Sequence, residues 1–111
     1  MKTKMIAAGV SAVLLAACAT PPEKIAAASI PTGSYAALDC AALAAEQAKN
    51  ETELAAVSKQ QNEAVMGDAV GVFLVGVPMT SAMGGDKETE VAVAKGKIEG
   101  VKAERLRKGC A

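Results

Sequence analysis

Residues 39–66, DCAALAAEQAKNETELAAVSKQQNEAVM, decide how the chain is read. The stretch is dominated by Ala, Glu, Gln, Lys and Leu, the residues that lose least on entering a helix. Asp39 stands where an N-cap is wanted. Leu43, Gln47, Asn50, Leu54, Val57, Gln61 and Ala64 recur at alternating intervals of four and three. That spacing makes a heptad-like seam, and its polar members, Gln47, Asn50 and Gln61, weaken packing while helping to specify register and partner.

A second helix is predicted from Asp86 to about Lys108. Asp86 serves as its cap, and Glu88 and Glu90 occupy the first turn. Lys102, Arg105, Arg107 and Lys108 occupy the last turns, with Gly109 just beyond. This order of charges complements the helix dipole, and a glycine suits the left-handed C-cap. Val91, Ala94, Ile98 and Val101 continue the heptad spacing. Gly96 and Gly100 lie four apart on one face, and each costs about 1 kcal/mol relative to Ala in a helix interior. They mark either a frayed helix or a groove where another helix backbone comes close.

Between the helices, residues 69–85 read AVGVFLVGVPMTSAMGG and carry no charge. Of the 22 Val, Ile, Leu, Met, Phe and Tyr residues from position 18 onward, ten fall between Val65 and Met83, so the apolar mass sits at the turn. Pro78 blocks a regular helix, and Gly84-Gly85 reverses the chain. A first helix reaching Val77 would be about 57 Å long and the second about 35 Å, at 1.5 Å per residue. The apolar stretch therefore folds back as a mini-core capping the turn, or overhangs and needs a second copy or a membrane. Val70, Val72, Phe73, Leu74, Val75, Val77 and Met79 are the candidate partner or membrane contacts. Gly67 and Gly71 share the spacing of a helix-contact pair.

Composition narrows the function. Apolar residues make up 51% of the 111, yet aromatics only 2%, because 25 residues are Ala; a large mixed core is not to be expected. There is no His, which removes a histidine base, a triad and the ordinary zinc sites. Twelve basic and twelve acidic residues balance, so no nucleic-acid surface is indicated. Glu63 and Asp68 are five apart and do not stack on one helix face. Thr80 and Ser81 have no activating base, and Lys95-Gly96 belongs to no phosphate loop. No cofactor, metal or small-molecule substrate is expected, and the chain is not read as an enzyme.

The beginning of the chain reads as an export signal. Lys2 and Lys4 precede an apolar run from Met5 to Ala17, which is too short to span a bilayer stably. The run ends in Leu15-Ala16-Ala17-Cys18, which resembles the lipobox of bacterial lipoproteins. The resemblance implies cleavage before Cys18, lipidation of that thiol and fatty acylation, palmitate among the acyl groups. An ordinary secretory signal or an uncleaved anchor is the alternative. Ala19, in place of Asp, implies by the same family rule the outer membrane, with the protein facing the periplasm. Cleavage would leave 94 residues with ten basic and twelve acidic side chains, since Lys2 and Lys4 leave with the signal. Residues 18–38, with Pro21, Pro22, Pro31 and Gly33, read as the lipidated start and a flexible linker. Residues 39–110 read as the folded part.

With Cys18 lipidated, Cys40 and Cys110 remain. An oxidising periplasm favours their pairing, and two antiparallel helices bring their positions together. Independent thiols or intermolecular bridges are the alternatives. The expected fold is thus all-α, an antiparallel two-helix hairpin with an apolar Gly/Pro-containing tip, after a signal helix and a disordered tether.

Further elements, Tyr35 through Leu38-Asp39-Cys40, Gln60-Gln61, Asp68, Gly71 through Pro78, Lys95-Gly96 with Glu99, and Lys108-Gly109-Cys110, make the chain resemble a group of small lipoproteins of alphaproteobacteria. The resemblance implies a helical hairpin with paired Cys and brings no activity with it. The function expected is that of a lipid-anchored envelope protein with a structural or interaction role, with an envelope protein or a second copy as partner. The alternative is a membrane-active or membrane-bridging lipoprotein, its tip in a bilayer and its lipid at the other end.

Overall fold

The computed structural model describes residues 18–31 and 33–111; the export-signal reading of residues 1–17 lies outside these. The regular structure of the described residues is all helical, with no strand among them. A 3-10 turn at Pro22–Lys24 precedes three helices, α1 at Cys40–Val75, α2 at Met79–Ala82 and α3 at Glu88–Lys108.

Asp39 opens α1 as its composition suggests. Its backbone is extended and its Oδ1 accepts the Ala42 N–H at 2.8 Å, satisfying one of the amides that a helix start leaves over. The helix ends two residues before Val77. Gly76 takes the left-handed conformation, φ 75°, and its N–H reaches the Val72 carbonyl at 3.0 Å. That conformation strains any residue with a Cβ, so the glycine sets the end, and Pro78 then stands at the N-cap of α2.

α3 begins at Glu88, later than the predicted Asp86. Lys87 holds the cap position without a side-chain cap. Asp86 still contributes from outside the helix, its Oδ1 accepting the Glu88 N–H at 3.0 Å. Gly109, φ 69°, closes the other end below Arg105, Arg107 and Lys108.

The two long helices pack on each other. Cys40, at the start of α1, is disulfide-bonded to Cys110, just past the end of α3, with their Cα atoms 5.5 Å apart. Arg105 Nη1 donates to Gln47 Oε1 at 2.7 Å, and the Lys87 N–H donates to Gln61 Oε1 at 2.6 Å. Positions that rise along α1 thus meet positions that fall along α3, and the helices run in opposite directions. The disulfide closes a loop with a sequence separation of 70. In the chain-entropy account a loop of that length contributes about 4 kcal/mol.

The seam lies where its spacing puts it. Leu43, Asn50, Gln61 and Ala64 are buried, and Gln47, Leu54 and Val57 are half-buried. The alternation continues through Asp68 and Gly71, both buried. Val91, Ala94, Ile98 and Val101 face it from α3. Gln47 and Gln61 bond within the molecule, to Arg105 and to Thr20, Asp86 and Lys87, while Asn50 is buried with its Oδ1 unpartnered.

The largest departure from expectation is the segment read as a flexible linker. It is packed on the helices. Pro22 and Ile25 are buried, the Ala28 N–H donates to the Ala92 carbonyl at 2.8 Å, and two lysines of α3 hold its carbonyls. Lys95 Nζ donates to Pro22 and, at 2.7 Å, to Ile25. Lys108 Nζ donates to Leu38 and, at 2.7 Å, to Ala36. Pro21 is extended and Pro22 opens the 3-10 turn, and the lysines satisfy carbonyls that would otherwise need water.

α3 is therefore covered on a second face, which accounts for its glycines. A Cβ at Gly96 would lie 2.2 Å from the Ala28 carbonyl oxygen, and one at Gly100 would lie 3.1 Å from the Tyr35 ring. The backbone that comes close belongs to this chain's own non-helical segment, not to a frayed end or another helix.

Gly96→Ala separates propensity from packing. Propensity alone would stabilise α3 by about 1 kcal/mol, whereas overpacking against a backbone oxygen costs about 1–3 kcal/mol. The expected outcome is a lower midpoint in thermal unfolding and faster proteolysis within residues 19–31. A raised midpoint with unchanged proteolysis contradicts the packing.

Candidate functional site, an apolar end assembled around Asp68

Beyond the level of Gln61, α1 continues for 14 residues, about 21 Å, past the start of α3. One side of this overhang is covered by the returning chain and by residues 19–20. The carboxylate of Asp68, only 2% exposed, joins these pieces. Its Oδ2 accepts the Ala19 N–H at 2.8 Å and the Ser81 hydroxyl, and its Oδ1 accepts the Ser81 N–H at 2.7 Å. Asp68 thus caps α2 from another helix, where a negative charge is favoured. Burial pushes the Asp68 carboxyl up, but donation from the Ser81 hydroxyl and from the N–H groups of Ser81, Ala19 and Thr80 outweighs it. The net effect holds the group below the ordinary carboxylate range.

Gln61 makes a similar joint one layer away. Its Nε2 donates to the Thr20 carbonyl at 2.8 Å and to Asp86 Oδ1 at 2.9 Å, while its Oε1 accepts the Lys87 N–H. The amide is fully buried with donor and acceptor both used. Gly67 and Gly71 admit the returning chain. A Cβ at Gly71 would lie 2.5 Å from the Val77 carbonyl oxygen, and one at Gly67 would strike the Thr80 hydroxyl. Their spacing serves this internal approach.

The remaining sides of the overhang are bare. Phe73 is 88% exposed and Leu74 70%, and Val70, Val72, Val75, Val77 and Met79 are exposed with them, as are Met66 and Met83. The seven predicted contact residues are thus all exposed, and of the alternatives for the apolar stretch the capping mini-core is not the one that forms. The cause is geometric, because α2 is a single turn and covers only the Gly67–Asp68–Gly71 side. Cys18 is exposed and lies outside the Cys40–Cys110 disulfide.

Bonded to Asp68, Ala19 lies at the apolar end of the molecule. Cys18, expected at the end opposite the apolar tip, is thus the neighbour of a residue held at that tip. The reason is the packed segment, which runs back along α3 from Ala36, beside Lys108, to Ala19, beside Asp68.

The chemistry open to these groups is limited. The Ser81 hydroxyl is a donor to an ionised carboxylate, and Glu63 is exposed away from it. Among the described residues no group of three His, Cys, Asp or Glu is arranged to hold a metal ion. An open groove between the non-helical segment and the start of α3, lined by Ile25, Ala28, Asp86, Glu88 and Ala92, has its Asp86 carboxylate engaged by Gln61 and Glu88. Asp68, Gln61 and Lys95 were not singled out as anchors from the sequence. Polar residues on an otherwise apolar helix face were the available signal.

Because the Asp68 carboxyl is depressed in the folded state, its stabilisation is present above the ordinary carboxylate value of 3.8 and is lost as pH falls through the lower folded value. Asp68→Asn should remove this acid-side loss from a stability–pH profile. Asp68→Ala should cost about 2–3 kcal/mol by chemical denaturation, since it strands buried donors that had a charged acceptor. A profile unchanged by Asp68→Asn contradicts the assignment. Comparison with family models, curated proteins and solved structures finds no match to this chain.

Proposed function

We propose that the protein is a lipid-anchored envelope lipoprotein of the outer membrane, facing the periplasm, with a structural or interaction role and no catalysis. In this reading residues 1–17 are a cleaved signal, Cys18 carries the lipid, and residues 39–110 form a disulfide-linked helical hairpin. The contact surface is the apolar end made of Val70, Val72, Phe73, Leu74, Val75, Val77 and Met79. The resemblance to small alphaproteobacterial lipoproteins belongs to the same reading.

The observation that carries it is the pairing of a lipobox-like sequence with an exposed Cys18 next to a pinned residue. Leu15-Ala16-Ala17-Cys18 supplies the processing pattern. Cys18 is exposed while the neighbouring Ala19 is buried, which puts the modified residue at the surface of the packed body. The Cys40–Cys110 disulfide suits an oxidising compartment. Large exposed apolar groups gathered at one end favour contact with a partner or a membrane over a freely solvated surface.

Intact-mass analysis of the detergent-extracted native protein tests the reading. The expected species begins at Cys18 and carries acyl chains, and Cys18→Ser yields only unprocessed, unacylated chain. A native protein that retains residues 1–17 without fatty acid contradicts it.

A further inference from the structure

We infer that the apolar end is seated in the same membrane leaflet that holds the lipid on Cys18, so that the protein stands on that surface with its disulfide end directed away. The inference rests on acylation of Cys18 and specifies what the proposed contact surface touches.

Three observations carry it. There is no slack between the lipid site and the body. Ala19 is buried with its N–H held by Asp68 at 2.8 Å, and the Thr20 carbonyl is held by Gln61 at 2.8 Å. Acyl chains on Cys18 enter a leaflet, and the folded body follows one residue later. The point of attachment is also at one end. Asp68 lies seven residues, about 10 Å, from the end of α1 and 28 residues, about 42 Å, from its start at Cys40.

The surface beside that point suits a leaflet. Residues 69–85 carry no charge, and the one carboxylate next to them, Asp68, is covered and fully engaged. Charge returns only at Asp86 and Lys87, where α3 is about to begin. Among the described residues no helix is long and apolar enough to cross a membrane. The chain reverses at Gly76 and Pro78, so the end enters shallowly, in the manner of interfacial segments.

The chain contains no Trp, so one introduced indole reports alone. Phe73→Trp and Leu106→Trp replace residues that are 88% and 83% exposed, at the apolar end and near the disulfide end respectively, and neither disturbs the core. Each protein is purified with its lipid, its acylation confirmed by mass, and reconstituted in phosphatidylethanolamine–phosphatidylglycerol vesicles with brominated acyl chains. The expected result is blue-shifted, quenched emission from Phe73→Trp and unquenched emission from Leu106→Trp. Unquenched emission from acylated, vesicle-bound Phe73→Trp overturns the inference and leaves acylation standing, including where crosslinking shows a second copy on that face. Quenching of both proteins overturns the upright orientation. An unacylated Cys18 overturns both the lipoprotein reading and this one.

Discussion

The carboxylate of Asp68 is the constraint on which the arrangement of the apolar end depends. It sits on the buried face of α1, one seam interval past Ala64, in a place where an apolar residue would ordinarily pack. A buried carboxylate is costly unless every lone pair finds a donor. Here the donors come from two distant parts of the chain, the Ala19 amide and the Ser81 amide and hydroxyl. Satisfying one charge therefore fixes both where the chain returns and where its beginning docks. Gln61 repeats the arrangement with an uncharged amide, joining Thr20, Asp86 and Lys87.

The core these joints organise is small. Its buried apolar side chains are chiefly Leu43, Ile25, Val91, Ile98 and Val101, with alanines between them. Such a core offers little burial to set against chain entropy. The disulfide, the lysine–carbonyl contacts and the close backbone approaches at Gly96 and Gly71 supply order that a larger core would provide by packing. The same economy explains the bare end. Only residues 76–87 connect α1 to α3, and they return along the Asp68 side, leaving the other sides of a helix that extends about 21 Å beyond its partner uncovered.

Much of the helical part was legible in the sequence. The seam from Leu43 to Ala64, the Asp39 cap, the Gly109 cap and the Cys40–Cys110 pairing all rest on local patterns or on the topology those patterns imply. The ends of the apolar stretch were less so. Gly76, and not Pro78, terminates α1, because a left-handed glycine with a capping amide stops a helix before a proline has to. The packed segment was missed for a clearer reason. A run rich in Pro and Ala has no periodicity, and its fixed position comes from side chains some 40 to 75 positions away, Gln61, Asp68, Lys95 and Lys108. Gln61, Asp68, Lys95 and Gly96 each touch that segment or hold it. Composition could not reveal this, since a lysine on a helix is as readily a solvated charge as a carbonyl clamp.

Docking of the segment changes what an anchor at Cys18 would mean. A free linker would let the helices drift from a membrane, whereas a docked one fixes which end faces it. The most direct measurement is hydrogen–deuterium exchange of the backbone amides between Ala19 and Ala28 in the native protein. The Ala19 and Ala28 amides, bonded to Asp68 and to the Ala92 carbonyl, are predicted to exchange slowly, as amides within α3 do. Exchange of both at the rate of an unstructured peptide, while α3 stays protected, would contradict the account.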